Sequence, residues 1–343
     1  MEYNNLPGTD IKVSKICLGT MTWGRQNSES EAFEQMDYSI QNGVNFFDTA
    51  ELYPVPATPE RYADTERIIG NWINQRGSRN KIILASKIAG PGDYTAHIRK
   101  SGFKGDSIEE AINGSLKRLK TDYLDIYQLH WPERSTNFFG KRGFTYVDDK
   151  WKDNFLEILE NLRKIIETGK VRYVGLSNEN PWGIMKYLEY SKSGLPKMIT
   201  IQNPYSLLNR LFEIGSAEIC KREEVGLLAY SPLGFGVLSG KYRNGSMPEN
   251  SRLKLFPNLA RFSNEKCFDA VNLYHDIASK HGMSLTQMSL AFVNDRPFVT
   301  SNIIGATSMN QLRENIDSAN IKLSDEVISE INGVNEMIPN PAP

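Results

Sequence analysis

Short apolar segments alternate with amphipathic segments along almost the whole chain. The apolar segments are rich in Val, Ile, Leu and aromatic residues, which is typical of buried strands; they cover 16–19, 44–47, 81–86, 123–129, 171–176, 198–201, 225–230 and 300–304. The amphipathic segments repeat apolar residues at helical spacing, and they cover 28–41, 65–74, 107–120, 153–168, 182–191, 212–223, 265–281, 284–295 and 308–319. The pattern therefore predicts strands and helices in regular succession.

Alternation of this kind predicts parallel strands that are buried on both faces. Eight strand–helix units without a linker favour a closed (β/α)8 barrel, the TIM barrel of the α/β class, over an open doubly wound sheet. Turn residues within 1–15 add an N-terminal β-hairpin, and 325–335 adds an extra C-terminal helix. We expect a single barrel domain that spans residues 1–343.

Three connections are much longer than the others, at about 88–106, 131–152 and 233–263. Each follows a predicted strand and not a helix, so all three gather at the C-terminal rim of the barrel. Loops of this length are usually active-site lids or binding loops, and this rim is where barrel enzymes keep their chemistry. The pattern thus indicates where to look for a site.

Composition and charge narrow the class of protein. The 343 residues are 40% hydrophobic and 24% charged, with a net charge of −1. This is typical of an ordinary globular protein, and it gives no electrostatic reason to expect nucleic acid or an anionic membrane as a partner. No apolar run approaches the roughly 20 residues of a membrane helix, and three cysteines and four histidines form neither CxxC nor HExxH motifs. We expect a cytoplasmic protein without a metal centre.

Four ionisable residues stand at or just beyond three successive strands: Asp48, Tyr53, Lys87 and His130. Neighbouring strands of a barrel lie about 5 Å apart, so these groups are expected to meet. A phenol has an ordinary pKa of about 10, and a nearby ammonium group lowers it. The carboxylate would keep the lysine charged, and a neutral imidazole would orient a substrate oxygen. Such a set favours proton donation to an oxygen that gains negative charge, as a carbonyl oxygen does when hydride attacks.

The chain resembles the aldo/keto reductases in four ordered motifs, namely Asp48-Thr-Ala-x-x-Tyr53, Ala85-Ser-Lys87, Gln128-Leu-His130 and Gly175-Leu-Ser-Asn178. Over nearly its full length, including 202–210 and 233–241, it is similar to the Tas branch of that family. The resemblance implies reduction of a small-molecule aldehyde or ketone, with Tyr53 as the general acid and NADP(H) as the cofactor, bound without a Rossmann domain.

A glycine-rich turn at 234–240 precedes Lys241. It matches neither GxGxxG nor a P-loop, because Tyr242 stands where a P-loop has Ser or Thr. Backbone N–H groups beside a cation still suit a phosphate. In the family this loop holds the pyrophosphate, and Arg252 resembles the arginine that meets the 2′-phosphate. The alternative for Arg252 is a solvated loop arginine.

The resemblance carries over a full set of cofactor-binding positions. Ser177, Asn178 and Gln202 match the residues that hold the nicotinamide carboxamide. The whole set is Gly19, Thr20, Met21, Asp48, Ser177, Asn178, Gln202, Tyr230, Ser231, Pro232, Leu233, Gly234, Gly236, Leu238, Lys241, Arg252, Gly305, Ala306, Thr307, Gln311, Glu314 and Asn315. Whether Tyr205 or Tyr230 stacks on the nicotinamide is left open, and Trp23, Trp131 and Trp182 are candidates for a substrate wall.

Two other functions are compatible with this pattern. The chain also resembles the potassium-channel β subunits, which implies a cofactor-bound regulatory or scaffold protein; those subunits have Asn in place of His130, so the intact set favours catalysis. A lysine at a strand end could also form a Schiff base, as in a lyase, although Asp48 and Tyr53 beside it disfavour this. The sequence determines neither the natural substrate nor the oligomeric state.

Overall fold

The computed structural model describes residues 1–141, 143–145, 150–258 and 260–343. Parts of the predicted connections 131–152 and 233–263 therefore lie outside the described residues. The strands are β1 (Tyr3–Asn5), β2 (Lys12–Ser14), β3 (Ile16–Gly19), β4 (Phe46–Asp48), β5 (Ile83–Ile88), β6 (Leu124–Leu129), β7 (Val171–Ser177), β8 (Met198–Pro204), β9 (Gly226–Tyr230) and β10 (Val299–Ile304).

Strands β3 to β10 form a closed barrel in which every neighbouring pair is parallel. The barrel closes where β10 pairs with β3, and β1 and β2 form a separate antiparallel hairpin. The prediction of a (β/α)8 barrel with an N-terminal hairpin is confirmed. Closure leaves no strand edge unpaired, so the backbone hydrogen-bonding groups of the barrel are satisfied within the sheet.

The α-helices are α1 (Glu29–Gln41), α2 (Asp64–Arg76), α3 (Ser107–Leu119), α4 (Phe155–Glu167), α5 (Pro181–Ser191), α6 (Ser216–Arg222), α7 (Arg252–Leu255), α8 (Glu265–Lys280), α9 (Leu285–Asn294), α10 (Met309–Asp317) and α11 (Asp325–Met337). Helix α1 begins with the capping box expected from its sequence, in which Ser28 and Glu31 bond each other's backbone N–H groups. Among the described residues, no helix is both long and apolar enough to cross a membrane.

Several predicted elements differ from the structure in their limits, and two of these differences bear on the fold and the site. The helix predicted over 212–223 is divided into a 3₁₀ turn and the shorter α6, because Gly215 lies between them with a φ of 90° that no α-helix contains. Strand β5 extends to Ile88, so Lys87 is within the strand and not beyond it. The second difference matters for function, since it places the lysine inside the barrel.

The interior of the barrel is built in layers. Alternate residues of each strand point inwards, and the lower layer is apolar, with Cys17, Phe46, Ala85, Ile126 and Leu228 in one buried cluster. The register pairs Asp48 with Ala85 and Lys87 with Gln128. A polar layer therefore lies directly above the apolar one, at the C-terminal end of the strands.

Truncation of the apolar layer should weaken the fold. Phe46 is fully buried, so Phe46→Ala should lower the free energy of unfolding by about 3–5 kcal/mol, since it removes buried contacts and leaves a cavity. Phe144, which is 67% exposed, provides the control. Phe144→Ala should change the free energy of unfolding by less than about 0.5 kcal/mol. Urea denaturation followed by circular dichroism measures both, and equal effects would contradict this layer assignment.

Candidate active site

A cavity of about 1070 Å³ opens at the C-terminal ends of the strands. Its walls combine the ends of β3, β4, β7 and β9 with parts of the three long connections. Tyr53 and His130 face it, together with Asp48, whereas Lys87 does not line it. The site thus has a layer of groups exposed to the cavity and a lysine directly behind them.

Lys87 is fully buried and lies between Asp48 and Tyr53. Its Nζ donates to Asp48 Oδ2 at 2.6 Å and to the backbone oxygen of Thr49 at 2.8 Å, and it lies 3.5 Å from the hydroxyl oxygen of Tyr53. Burial alone lowers the pKa of Lys87, but the charges and hydrogen bonds of Asp48 and Tyr53 outweigh it and raise the pKa above its ordinary value. Lys87 is therefore an ammonium ion at neutral pH.

Two glutamines fix the orientation of Asp48. Gln202 Nε2 donates to Asp48 Oδ1 at 2.8 Å, Gln128 Nε2 donates to the same oxygen at 3.2 Å, and Gln202 also donates to Gln128. The sequence predicts a contact of Gln202 with the cofactor carboxamide and no role for Gln128, whereas in the structure both side chains bind Asp48. The sequence position of Gln128 could have indicated its role. It stands two residues before His130 on the same strand, so its side chain points into the barrel beside Lys87.

His130 stands beside Tyr53 on the cavity side. The two rings meet edge to face with centroids 5.8 Å apart, and only 6% of His130 is exposed. Burial, followed by the positive charge of Lys87, holds the pKa of His130 well below its ordinary value of 6.5. Nδ1 of the imidazole is buried and has no hydrogen-bond partner among the described residues. The ring is therefore neutral at physiological pH.

The pKa of Tyr53 differs from the expectation. Burial raises the pKa of the phenol above 10, and the lowering caused by Lys87 offsets this only in part, while Asp48 raises it further. Lys87 acts in the direction predicted from the sequence, but desolvation is the larger effect. Tyr53 therefore carries its proton throughout the neutral range.

Beside this set, Asn178 is held from three sides. Its Nδ2 donates to the backbone oxygen of His130 at 2.9 Å and to Ser177 Oγ at 3.0 Å, and its Oδ1 accepts a hydrogen bond of 2.6 Å from the Tyr230 hydroxyl. Tyr230 lines the cavity, whereas Tyr205 is buried elsewhere and bonded to Glu213. Of the two tyrosines that are candidates for stacking, only Tyr230 therefore lines the cavity.

Two cations lie at another part of the cavity without a carboxylate partner. Within the described residues, neither Lys241 nor Arg252 makes an ion pair, and Arg252 Nε is buried without a hydrogen-bond partner. Burial lowers the pKa of Arg252 to about 10, and burial together with Arg252 lowers the pKa of Lys241. Two desolvated cations of this kind are expected to attract an anion.

The glycine-rich loop leaves space for Lys241. Gly236 has a φ of 88°, and a Cβ at this position would lie 2.8 Å from Lys241 Nζ, so any other residue would displace the lysine. Gly234 and Leu238 do not line the cavity. Their N–H groups, expected to face a phosphate, donate instead to the backbone oxygens of Ser231 and Leu233.

All other residues of the predicted cofactor set line the cavity: Gly19, Thr20, Met21, Asp48, Ser177, Asn178, Gln202, Tyr230, Ser231, Pro232, Leu233, Gly236, Lys241, Arg252, Gly305, Ala306, Thr307, Gln311, Glu314 and Asn315. Of the three candidate wall tryptophans only Trp131 does so, since Trp23 is in the core and Trp182 is half exposed elsewhere.

Other parts of the wall are not predicted from the sequence, and they include Tyr94, Phe138, Phe139, Arg261 and Pro343. Four of these five belong to the long connections. Their sequence position indicated the rim, but loop conformation decides which side chains turn inwards.

Comparison with known proteins shows the family of the chain. Residues 15–336 match the model of the Aldo/keto reductase family, so the chain belongs to that family. It is 48% identical to Protein tas of Escherichia coli K12, with 100% of both chains covered. It is 33% identical to the uncharacterized oxidoreductase YrpG of Bacillus subtilis 168, with 97% of this chain and 96% of the relative covered. It is 30% identical to a probable voltage-gated potassium channel subunit beta of Oryza sativa subsp. japonica, again with 97% of this chain and 96% of the relative covered. The family and its relatives support a general oxidoreductase function.

The buried neutral His130 predicts a dependence of stability on pH. In the unfolded chain the imidazole has a pKa of about 6.5, so below that pH the unfolded state binds a proton that the folded state does not, and stability falls. At pH 5.5 this amounts to about 1.4 kcal/mol relative to pH 7.5. Urea denaturation at pH 7.5 and pH 5.5 measures this change in the free energy of unfolding. The change should be smaller by about 1.4 kcal/mol for His130→Gln than for the wild type. His97→Gln, at an exposed position, should show the same change as the wild type.

Proposed function

We propose that the protein reduces aldehydes or ketones to alcohols with NADPH as the hydride donor. The observation that carries this proposal is the protonated Tyr53 phenol at the cavity wall, backed by the Lys87 ammonium 3.5 Å away and flanked by a neutral His130. A carbonyl oxygen beside Tyr53 and His130 would be positioned to receive a proton. Asp48 keeps Lys87 charged and aimed.

In this mechanism Tyr53 is the general acid. As electron density moves onto the carbonyl oxygen, the phenol gives it the proton, and the phenolate that remains is stabilised by Lys87. His130 is neutral, so its imidazole can hydrogen-bond the same oxygen and orient it without competing as a stronger acid. The raised pKa of Tyr53 makes Lys87 necessary, because without the ammonium the buried phenolate would be still less stable.

The chemistry of the cavity fits NADP(H). The nicotinamide would supply the hydride when bound, and Asn178, Ser177 and Tyr230 offer polar atoms for its carboxamide and a ring for stacking. Arg252 and Lys241, which have no carboxylate partner in the part of the chain that the structure describes, suit phosphate groups, and a guanidinium can bind the 2′-phosphate with two hydrogen bonds. The short polar segment Gly305–Thr307 and Gln311 suit the adenosine end.

Lys87 argues against a lyase. Its Nζ is fully buried, does not reach the cavity and is engaged by three acceptors, and its raised pKa keeps it protonated. A Schiff base needs an accessible, neutral amine. The second candidate is a cofactor-bound regulatory subunit with little turnover, which is favoured by the 30% identity to the rice potassium-channel β relative. Turnover measurements separate the two.

The general acid is tested by Tyr53→Phe, which removes one hydroxyl and keeps the ring. We expect kcat for reduction of an aromatic aldehyde to fall at least about 100-fold, because general acid catalysis is typically worth that much. The dissociation constant for NADPH, measured by fluorescence titration, should change less than about threefold. Retained turnover in this variant would exclude Tyr53 as the proton donor, and a wild type that binds NADPH without turnover would support the regulatory function.

The 2′-phosphate contact is tested by Arg252→Ala. We expect the affinity for NADPH to fall about 10-fold or more, since a hydrogen bond to a charged group is worth about 1.5–3 kcal/mol. The affinity for NADH, which lacks that phosphate, should fall much less. Arg243→Ala provides the control, because Arg243 lies in the same connection but bonds Asn272 outside the cavity. Equal losses for both dinucleotides would place the phosphate contact elsewhere.

A further inference from the structure

A fully buried carboxylate lies two residues before Tyr53 and has no part in the mechanism above. Glu51 has no exposed surface and does not line the cavity. Its Oε1 accepts a hydrogen bond of 2.6 Å from the backbone N–H of Ala89 and one of 2.8 Å from Arg99 Nη1, and its Oε2 accepts from Arg99 Nη2 at 3.2 Å. One side chain thus joins the Tyr53 turn to β5 and to the connection 88–106.

The contact with Ala89 continues the pairing between β4 and β5 beyond the end of β4. In the last steps of that ladder, Thr49 N–H donates to Ala85 O at 2.9 Å and Glu51 N–H donates to Lys87 O at 3.2 Å. The next N–H in the series, that of Ala89, finds the Glu51 carboxylate in place of a backbone oxygen. The side chain therefore extends the ladder by one rung, which fixes the turn from Thr49 to Tyr53 against the strand that carries Lys87.

This turn determines where the Tyr53 hydroxyl lies relative to Lys87. The same turn supplies the backbone oxygen of Thr49 to Lys87 Nζ, and Tyr53 N–H closes it by donating to Ala50 O. At 3.5 Å the Lys87–Tyr53 contact is long for a hydrogen bond. A small displacement of the turn would break it, and displacements of about 1 Å at a reacting group can cost as much as 100-fold in rate.

We propose that Glu51 is a positioning residue for the proton donor, acting through its hydrogen bond with the Ala89 N–H and its ion pair with Arg99. The proposal rests on the proposed reductase function, with Tyr53 as the acid. Arg99 belongs to the connection 88–106, of which Pro91 and Tyr94 line the cavity. Glu51 touches neither the cavity nor the reacting groups, so its effect is geometric.

The chain contains a matched control. Glu66 is equally buried and pairs with Arg118 at 2.6 Å, but its second oxygen accepts from the Ser86 side chain, and among the described residues it has no hydrogen bond to the Tyr53 turn. Replacement of a buried ion pair by apolar residues of similar volume is often tolerated, whereas removal of one partner leaves a buried charge. The informative variants are therefore Glu51→Leu/Arg99→Met and Glu66→Leu/Arg118→Met. Glu51→Gln, which retains an oxygen for the Ala89 N–H, is the conservative variant.

The first measurement separates kcat from NADPH binding. We expect Glu51→Leu/Arg99→Met to lower kcat at least about 10-fold with the NADPH dissociation constant changed less than twofold. Glu51→Gln should stay within about threefold of the wild type, as should Glu66→Leu/Arg118→Met. Unchanged kcat in the Glu51 double variant, or an equal loss in the Glu66 double variant, would overturn the proposal.

The second measurement does not depend on turnover. Hydrogen–deuterium exchange should be faster in peptides that cover 49–53 and Ala89 for the Glu51 double variant than for the wild type and the Glu66 double variant. Equal exchange in all three proteins would overturn the proposal even if the wild type consumed no NADPH. Absence of NADPH turnover by the wild type would instead overturn the proposed function, and the exchange result would still decide whether Glu51 holds the turn.

Discussion

The ion pair between Lys87 and Asp48 is the interaction on which the arrangement of the site depends. An ammonium ion with no exposed surface is strongly unfavourable unless its hydrogen atoms are accepted, and here one carboxylate, one backbone oxygen and one phenol surround it. The carboxylate in turn is fixed by Gln128 and Gln202 from two further strands. Removal of either charge would leave the other buried and unpaired, at a cost of about 3–5 kcal/mol. Side chains from four strands, β4, β5, β6 and β8, thus hold the pair in place.

The closed parallel sheet explains why this layer can be polar. The side chains of β4, β5, β6 and β8 reach one level because the register between neighbouring strands is fixed, and the layer beneath them is apolar and fully packed. A parallel strand ends at the rim, so its last inward residue is both anchored by the ladder and close to the cavity. Lys87 lies within β5, which continues one residue past it, and its side chain has no exposed surface.

The barrel and the groups at its strand ends could be predicted from the sequence, because hydrophobic periodicity reflects local geometry. The alternation of strands and helices predicted the barrel, and the polar residues at strand ends predicted which groups would meet. The limits of β5 and the break at Gly215 were missed because tertiary pairing and backbone conformation decide them, and residue preferences do not. The partners of Asp48 required the register between strands. In the glycine-rich loop, the composition suggested free N–H groups, whereas the fold turns those of Gly234 and Leu238 back onto the loop itself.

Arg252 and Lys241 have a consequence for the folded state as a whole. Each is held in a partly desolvated position without a counterion among the described residues, so the fold carries an electrostatic cost that an anionic ligand would remove. By mass action, a ligand present at 100 times its dissociation constant stabilises a folded protein by about 2.7 kcal/mol. If the proposed dinucleotide is that ligand, the resistance of this protein to unfolding and proteolysis would follow the total concentration of the dinucleotide, because the phosphates that meet the two cations are the same in its oxidised and reduced forms.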